Sequence, residues 1–223
     1  MKNLTLLIPV KKEKESLKIF IEKLEKFKLK KILVVDKYDS SNYQNLKKFS
    51  SLKIYKSKKT GYGNALIDGI NHIKTQYFCI INADGSMDPK EIKRMMKLTK
   101  LNSFIFGSRY LFNGGSEDDT IVTYLGNKMF TLIGNIFFGL KISDILYTYV
   151  IGNTKNAKSL KLKSPDFRIC VELPIKVHRK TYKYTDFSCY ELKRIGGKKK
   201  VNALKDGFLI LLKMVQMFFR LST

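Results

Sequence analysis

Several short stretches of this 223-residue chain carry side chains suited to chemistry on a charged ligand. The run Asn82-Ala83-Asp84-Gly85-Ser86-Met87-Asp88-Pro89 lies where an apolar strand-like segment stops and a helical pattern starts. A carboxylate there, Asp84, can hold a hard divalent cation, and the cation can neutralise a diphosphate leaving group. Asp84 and Ser86 could instead only shape a turn, and Asp88, ahead of Pro89, reads as a helix cap. The position at a strand end favours the ligand role for Asp84. Thr60-Gly61-Tyr62-Gly63-Asn64-Ala65 is a glycine-containing turn that opens a helix, and amides exposed there suit phosphate or ribose. Its spacing matches neither a Walker loop nor the dinucleotide fingerprint, so a plain tight turn also explains it. Asp36 closes a valine-rich strand, where it could accept from a base or ribose or simply form a turn.

Arg109 and Arg194 stand out because only six of the 43 basic residues are arginine. A guanidinium fork grips phosphate in a bidentate way that an ammonium cannot. Arg194 lies in the basic loop Lys193-Arg194-Ile195-Gly196-Gly197-Lys198-Lys199-Lys200, whereas Arg94, Arg168 and Arg179 read as ordinary surface charges. Glu172, in a Val-Glu-Leu segment, could act as a base or bind a sugar hydroxyl, or could be a helix carboxylate paired with lysine. His72 and His178 are too far apart in sequence to suggest a shared site and read as structural.

Strand-like and helix-like segments alternate through the first half and must position these residues. Strands are expected at Leu4–Pro9, Ile32–Asp36, Leu52–Tyr55, Tyr77–Asn82 and Phe104–Gly107. Helices are expected at Glu13–Phe27, Asn42–Phe49, Ala65–Ile73 and Pro89–Leu98. That order implies a mostly parallel α/β sheet, in which ligands bind beyond the carboxyl ends of the strands. Pro9, Asp36, Asn82 to Asp84 and Gly107 to Arg109 all fall on that edge. The second half differs: Tyr124–Leu140 reads as an amphipathic helix or helix pair, Asp166–Lys180 as a helix, Tyr182–Cys189 as a strand. Residues 1–203 read as one domain and 204–223 as an amphipathic terminal helix.

A formal charge of +24 points to a polyanionic partner or to lysine-rich solvated faces, and cannot choose between them. An apolar content of 44% excludes a disordered chain. Three cysteines without a CxxC pair exclude a disulfide scaffold and suggest a reducing compartment. No signal peptide is visible, and the apolar segments are too short to span a bilayer. The segment Phe208 to Phe219, flanked by Lys205 and Arg220, suits a helix lying on a membrane surface as well as one packed on its own core. No aromatic–basic interleaving suggests specific nucleic-acid binding.

Taken in order, these stretches resemble the family 2 glycosyltransferases with the GT-A fold, particularly the dolichyl- or polyprenyl-phosphate hexosyltransferase branch. The matching residues are Leu7-Ile8-Pro9 with Glu13, Val34-Val35-Asp36, Gly61 to Leu66, Asn82 to Pro89 and Gly107 to Tyr110. Tyr124 to Lys128, Ser143-Asp144, Val171-Glu172-Leu173 and Lys193 to Gly197 continue the match. The resemblance implies an inverting transfer of a hexose from a nucleotide-diphosphate sugar to a polyprenyl phosphate at the cytoplasmic face of an anionic membrane. Pro9, Glu13, Asp36, Gly63 and Asn82 would line the nucleotide pocket with Asp84. Asp84 and Ser86 would serve a divalent metal, Mg²⁺ or Mn²⁺, while Arg109 and Arg194 would meet the acceptor phosphate and donor diphosphate. A saccharide-hydroxyl or glycolipid acceptor would instead need Glu172 as base. A non-catalytic basic module binding nucleic acid is the remote alternative. The chain departs from the family pattern at Lys37, at Asn82, where a second acid is usual, and at Tyr124, where arginine is usual. The loss of charge at Asn82 implies a weakly held metal or one carried in with the donor. Docking of the tail on a membrane and on a second copy of the chain both stay open.

Overall fold

The computed structural model describes residues 2–41, 43–196 and 201–219. A seven-stranded sheet forms the centre, ordered β3-β2-β1-β4-β7-β5-β8. Its strands are β1 (Leu4–Val10), β2 (Lys30–Val35), β3 (Leu52–Lys56), β4 (Tyr77–Ile80), β5 (Phe104–Ser108), β7 (Val150–Asn153) and β8 (Tyr184–Ser188). All neighbours run parallel except β7, which lies antiparallel between β4 and β5. Two short strands, β6 (Gly115–Ser116) and β9 (Tyr190–Glu191), pair beside the sheet. The helices are α1 (Lys14–Glu25), α2 (Tyr62–His72), α3 (Ile92–Leu98), α4 (Ile121–Phe138), α5 (Thr154–Ser159), α6 (Ile169–Arg179) and α7 (Ala203–Phe218).

The period of two along each strand splits the apolar side chains between two layers. On β1, Leu6 and Ile8 pack with Leu17, Phe20, Ile21 and Leu24 of α1, while Leu7 joins Leu66 and Ile70 of α2 on the other face. Helix α7 contributes Ile210, Met214 and Met217 to the α2 layer, which also holds Phe130 of α4. The opposite faces of α4 and α7 leave Val122, Leu125, Leu132, Ile136, Phe208 and Val215 exposed. Among the described residues, no helix is long and apolar enough to cross a membrane.

The expected α/β architecture with a mostly parallel sheet is present, and the element boundaries shift for local reasons. The expected helix from Asn42, itself outside the described residues, is a short 3₁₀ turn at Gln44–Lys48. Pro89–Leu98 starts as a 3₁₀ turn, capped by Asp88, whose Oδ1 accepts from Lys90 N at 3.0 Å, and becomes helical at Ile92. The segment expected as one helix or two is a single helix, α4. A reciprocal Thr120–Thr123 capping box starts it, and Gly139, at φ 67°, stops it. Strand β7 and helix α5 escaped the periodicity because each is shorter than the patterns that reveal elements.

Edge strand β8 carries Asp186, whose Oδ2 accepts from Ser143 N at 2.6 Å. Its Oδ1 is buried without a partner among the described residues. Burial pushes this carboxyl up to about 6, against the Ser143 hydrogen bonds and with the neighbouring Asp144 charge adding to the rise. The folded state therefore holds the proton more tightly than the unfolded chain. The stability this adds is fully present below about pH 4 and is lost as pH rises through about 6, on the order of 1–2 kcal/mol after screening. Asp186→Asn should flatten that slope, raising Tm relative to the parent more at pH 7.5 than at pH 4.5 in parallel thermal melts. Equal changes at both pH values would contradict it.

Candidate active site

A cleft of about 510 Å³ opens at the carboxyl edge of β1, β2 and β4. It is lined by Pro9, Glu13, Asp36, Asn82, Asp84 and Arg194, among others. Asp36 terminates β2, where it is buried and accepts from Gly61 N at 2.9 Å, Thr60 Oγ1 at 2.8 Å and Tyr38 N at 3.0 Å. Burial alone would raise its pKa. The amide of Gly61, the Thr60 hydroxyl, the Tyr38 amide and the charge of Lys11 outweigh burial and hold the carboxylate below its usual range. Glu13 sits just before α1 and accepts from Ser16 Oγ at 3.1 Å. Asn82 follows β4 and accepts from Tyr62 Oη at 3.0 Å, so α2 and β4 are joined across the cleft floor.

Asp84 stands at the centre. Its Oδ1 accepts from Ser86 N at 3.1 Å and Ser86 Oγ at 2.9 Å, and its Oδ2 lies 3.3 Å from Arg194 Nη1. Arg194 is anchored from behind, its Nε and Nη2 each donating to Asp118 Oδ2 at 3.0 Å. Burial would lower the arginine's pKa, but the Asp118 bond and the Asp84 charge raise it. The strap carrying Arg194 is itself tied down: Leu192 N donates to Ser86 O at 2.8 Å and Ile195 N to Asp84 O at 2.9 Å. One cation and one carboxylate thus face the cleft together, a pair able to meet a diphosphate and a metal. Among the described residues, no three His, Cys, Asp or Glu side chains gather as a ready-made metal site. A lone carboxylate fits a magnesium-like ion only when phosphate oxygens and water complete the shell.

The model of glycosyl transferase family 2 matches residues 5–160. The chain belongs to that family. Among solved structures it is similar to glucosyl-3-phosphoglycerate synthase from Mycobacterium tuberculosis in complex with phosphoglyceric acid. The TM-score is 0.75 at 9% identity, over 100% of this chain and 81% of that one. The same enzyme with Mn²⁺, UDP-glucose and phosphoglyceric acid gives TM-score 0.72 at 9% identity, over 98% and 80%. A further crystal structure, of a mycobacterial protein, gives 0.74 at 8% identity, over 100% and 76%. At these identities the likeness concerns the fold, and it is the GT-A fold expected from the sequence. As a family 2 member, the chain is a glycosyltransferase.

Within that fold, the structure brings together Pro9, Glu13, Asp36, Asn82, Asp84 and Arg194 at the cleft and places four other candidate residues away from its lining. Arg109 does not face the cleft. Its Nε and Nη2 grip Asp144 at 2.8 and 3.1 Å, its Nη1 meets Glu191 at 3.1 Å, and its guanidinium lies 4.7 Å from the Tyr147 ring centre. Glu172 is fully buried, accepts from Lys163 N and Ser164 N, and pairs with Lys176 at 2.6 Å; burial opposes its ionisation, but these partners hold its pKa down. It is no free base. Gly63 is pressed against Ser164 O, which would lie 2.1 Å from an added Cβ, so it serves packing rather than the cleft wall. Ser86 is buried beside Asp84, its hydroxyl donating to the Oδ1 of that carboxylate at 2.9 Å. Of the basic loop, 197–200 lies outside the described residues.

Asp166, Phe167 and Asp206, which line the cleft from loops and α7, and Asp118, which anchors Arg194, stand in no motif of the sequence. The same holds for Asp39, whose Oδ2 takes the amide of Lys12 at 2.7 Å and the hydroxyl of Tyr43 at 2.8 Å, fixing the loop before α1. A turn-prone Asp is the sole hint in the sequence at Asp39, Asp118 and Asp166, and Phe167 and Asp206 carry none.

The two arginines should separate in their variants. Arg109→Ala leaves Asp144 and Glu191 buried and uncompensated, costing about 3–5 kcal/mol in urea unfolding. Arg194→Ala, at the cleft surface, should cost less stability than Arg109→Ala while weakening nucleoside diphosphate binding. Equal stability losses would contradict the assignment.

Proposed function

We propose that the chain transfers a hexose from a nucleotide-diphosphate sugar to a polyprenyl phosphate presented at an anionic membrane surface, with inversion at the anomeric carbon. One observation carries this reading: helix α7 belongs both to the cleft and to an outward apolar face. Asp206, in its first turn, lines the cleft, while Leu204, Phe208, Leu211 and Val215 of the same helix are exposed. Helix α4 packs beside it with Leu125, Met129, Leu132 and Ile136 exposed, and its one charged residue is Lys128. An apolar face with cations and few acids suits a lipid surface, and the net charge of +24 adds attraction to anionic headgroups.

In the transfer, an acceptor phosphate oxygen attacks the anomeric carbon, the bond from that carbon to the diphosphate breaks, and the nucleoside diphosphate leaves with the electron pair. An ionised phosphate needs no proton removed, so rate comes from alignment and from charge stabilisation on the departing group. The paired, buried state of Glu172 supports an acceptor that needs no base at that position. Arg194, with Lys11 and Lys12 also on the cleft wall, supplies positive charge to the diphosphate. Asp36, Glu13 and Pro9 would hold the nucleoside end. Asp84 would hold Mg²⁺ or Mn²⁺ with oxygens of the donor, the ion neutralising the leaving group. The similar mycobacterial enzyme, crystallised with Mn²⁺, UDP-glucose and phosphoglyceric acid, supports both a metal and a phosphate-bearing acceptor.

Purified protein should move labelled sugar from one of UDP-, GDP- or dTDP-hexoses into an organic-extractable product when given polyprenyl phosphate in mixed micelles with Mn²⁺. Asp84→Asn, which keeps an acceptor for Ser86, should lower that rate at least about 100-fold with Tm nearly unchanged. Label appearing only on a soluble phosphorylated acceptor, or on a saccharide hydroxyl, would overturn the lipid assignment. An Asp84→Asn rate equal to the parent's would overturn the site.

A further inference from the structure

Asp166 and Phe167 line part of the cleft on a turn that α6 holds in place. Glu172, on α6, accepts from Lys163 N at 3.0 Å and Ser164 N at 2.7 Å. The turn it pins runs directly into Pro165, Asp166 and Phe167. Pro165 O accepts from Asn64 N at 3.0 Å and would lie 2.2 Å from a Cβ at Gly61, so turn and helix start are in backbone contact. Gly61 has φ 116°, which disfavours any side chain, and its amide is one of the donors holding Asp36. Phe167 then stacks on Tyr62, ring centres 5.0 Å apart at 24°, and both rings line the cleft. Tyr62 Oη reaches on to Asn82 and to Thr148, at 3.0 and 2.7 Å.

A half-buried aromatic ring already stacked on a second ring presents its edge or remaining face at fixed height, between the Asp36 end and Asn82. Its stacking partner Tyr62 follows Gly61, which donates to Asp36, and itself bonds Asn82, so the ring pair adjoins two residues assigned above to the nucleotide. We infer that Phe167 is a donor-binding residue that contacts the nucleoside, and that Glu172 is the positioning residue that sets its height by clamping the Lys163–Ser164 turn. The inference rests on the nucleotide-sugar reading above and adds to it the residues that recognise the nucleoside. It also gives Glu172 a place in donor recognition without any contact with the reacting atoms. The carboxylate accepts from two backbone amides through both oxygens, so an amide in its place must turn an N–H toward one of them or give up one bond.

The test is titration calorimetry with UDP, GDP and dTDP, each with Mn²⁺, at a temperature well below Tm. For the nucleotide that binds the parent, Phe167→Ala should raise Kd about three- to tenfold, and Phe167→Tyr should restore it. Glu172→Gln should raise Kd about threefold or more, and in the transfer assay raise donor KM while leaving kcat within about twofold. A merely structural role for Glu172 would lower Tm and leave Kd and KM in place. Parent-like Kd in both Phe167→Ala and Glu172→Gln would overturn this inference alone. Phe167→Ala decides the matter even if the Glu172 variant does not fold, since the ring lies at the cleft surface. A parent that binds none of the three nucleotides would remove the donor reading and this inference with it.

Discussion

A guanidinium taken out of water must find its charge matched, and the carboxyl side of this sheet is organised around one such match. Arg109, at the end of β5, is nearly enclosed, with Asp144 across two of its nitrogens and Glu191 on the third. Neither carboxylate belongs to that arginine alone. Asp144 also takes Asn127 Nδ2 of α4 at 2.7 Å, and Glu191 takes the Ser116 hydroxyl of β6 at 2.5 Å. Sheet, long helix and small side ribbon are therefore joined through one cation. The cost of burying it is bearable only while every partner stays in place, so the geometry is held all-or-none.

That constraint is transmitted to the cleft by a few residues of chain. Glu191 ends β9 and pairs with Met87 in a bridge; Leu192 and Ile195 then bond the backbone of Ser86 and Asp84. Arg194 sits between those two anchors, with Asp118, two residues past Ser116, holding its far side. A flexible arginine would lose much of its advantage to side-chain entropy on gripping a diphosphate. Here that freedom is already spent in the fold, which is how preorganised charge stabilises a departing group.

How much of this was legible depended on whether the signal was local. Leu4 to Val10, with apolar side chains on both faces, announces a central parallel strand, and the run Asn82 to Pro89 announces a strand end with an acid at its lip. Asp36, Glu13 and Asp84 could be placed on one edge because the alternation of strands and helices already fixes which ends meet. Arg109 and Glu172 were legible as unusual residues but not as buried ones: whether an arginine meets phosphate or Asp144 depends on contacts 35 positions away. Phe167 and Asp206 carry no signature at all, since a phenylalanine in a loop and an aspartate in a first turn are commonplace. Strand β7 was hidden by its length and by running against its neighbours, a direction that hydrophobic pattern does not encode.

Among the described residues the cleft is lined by five carboxylates, Glu13, Asp36, Asp84, Asp166 and Asp206, a repulsive set for a dianionic diphosphate unless their charges are matched by partners. Asp36 is committed to a ring of amide and hydroxyl donors. Asp166 lies in a two-point grip with Arg168 at 2.7 and 2.8 Å, and Asp206 accepts the amide of Asn202 at 2.7 Å. Asp84 differs: one oxygen is braced by Ser86, and the other meets a cation that Asp118 already shares. On the proposed reading this carboxylate would meet an incoming metal, and a metal arriving with the diphosphate would turn the encounter from repulsive to attractive. The Asn at position 82 follows the same logic. A second carboxylate beside Asp84 would add negative charge to a cleft already rich in acids, whereas the amide of Asn82 binds Tyr62 and ties the floor to the aromatic wall without adding charge.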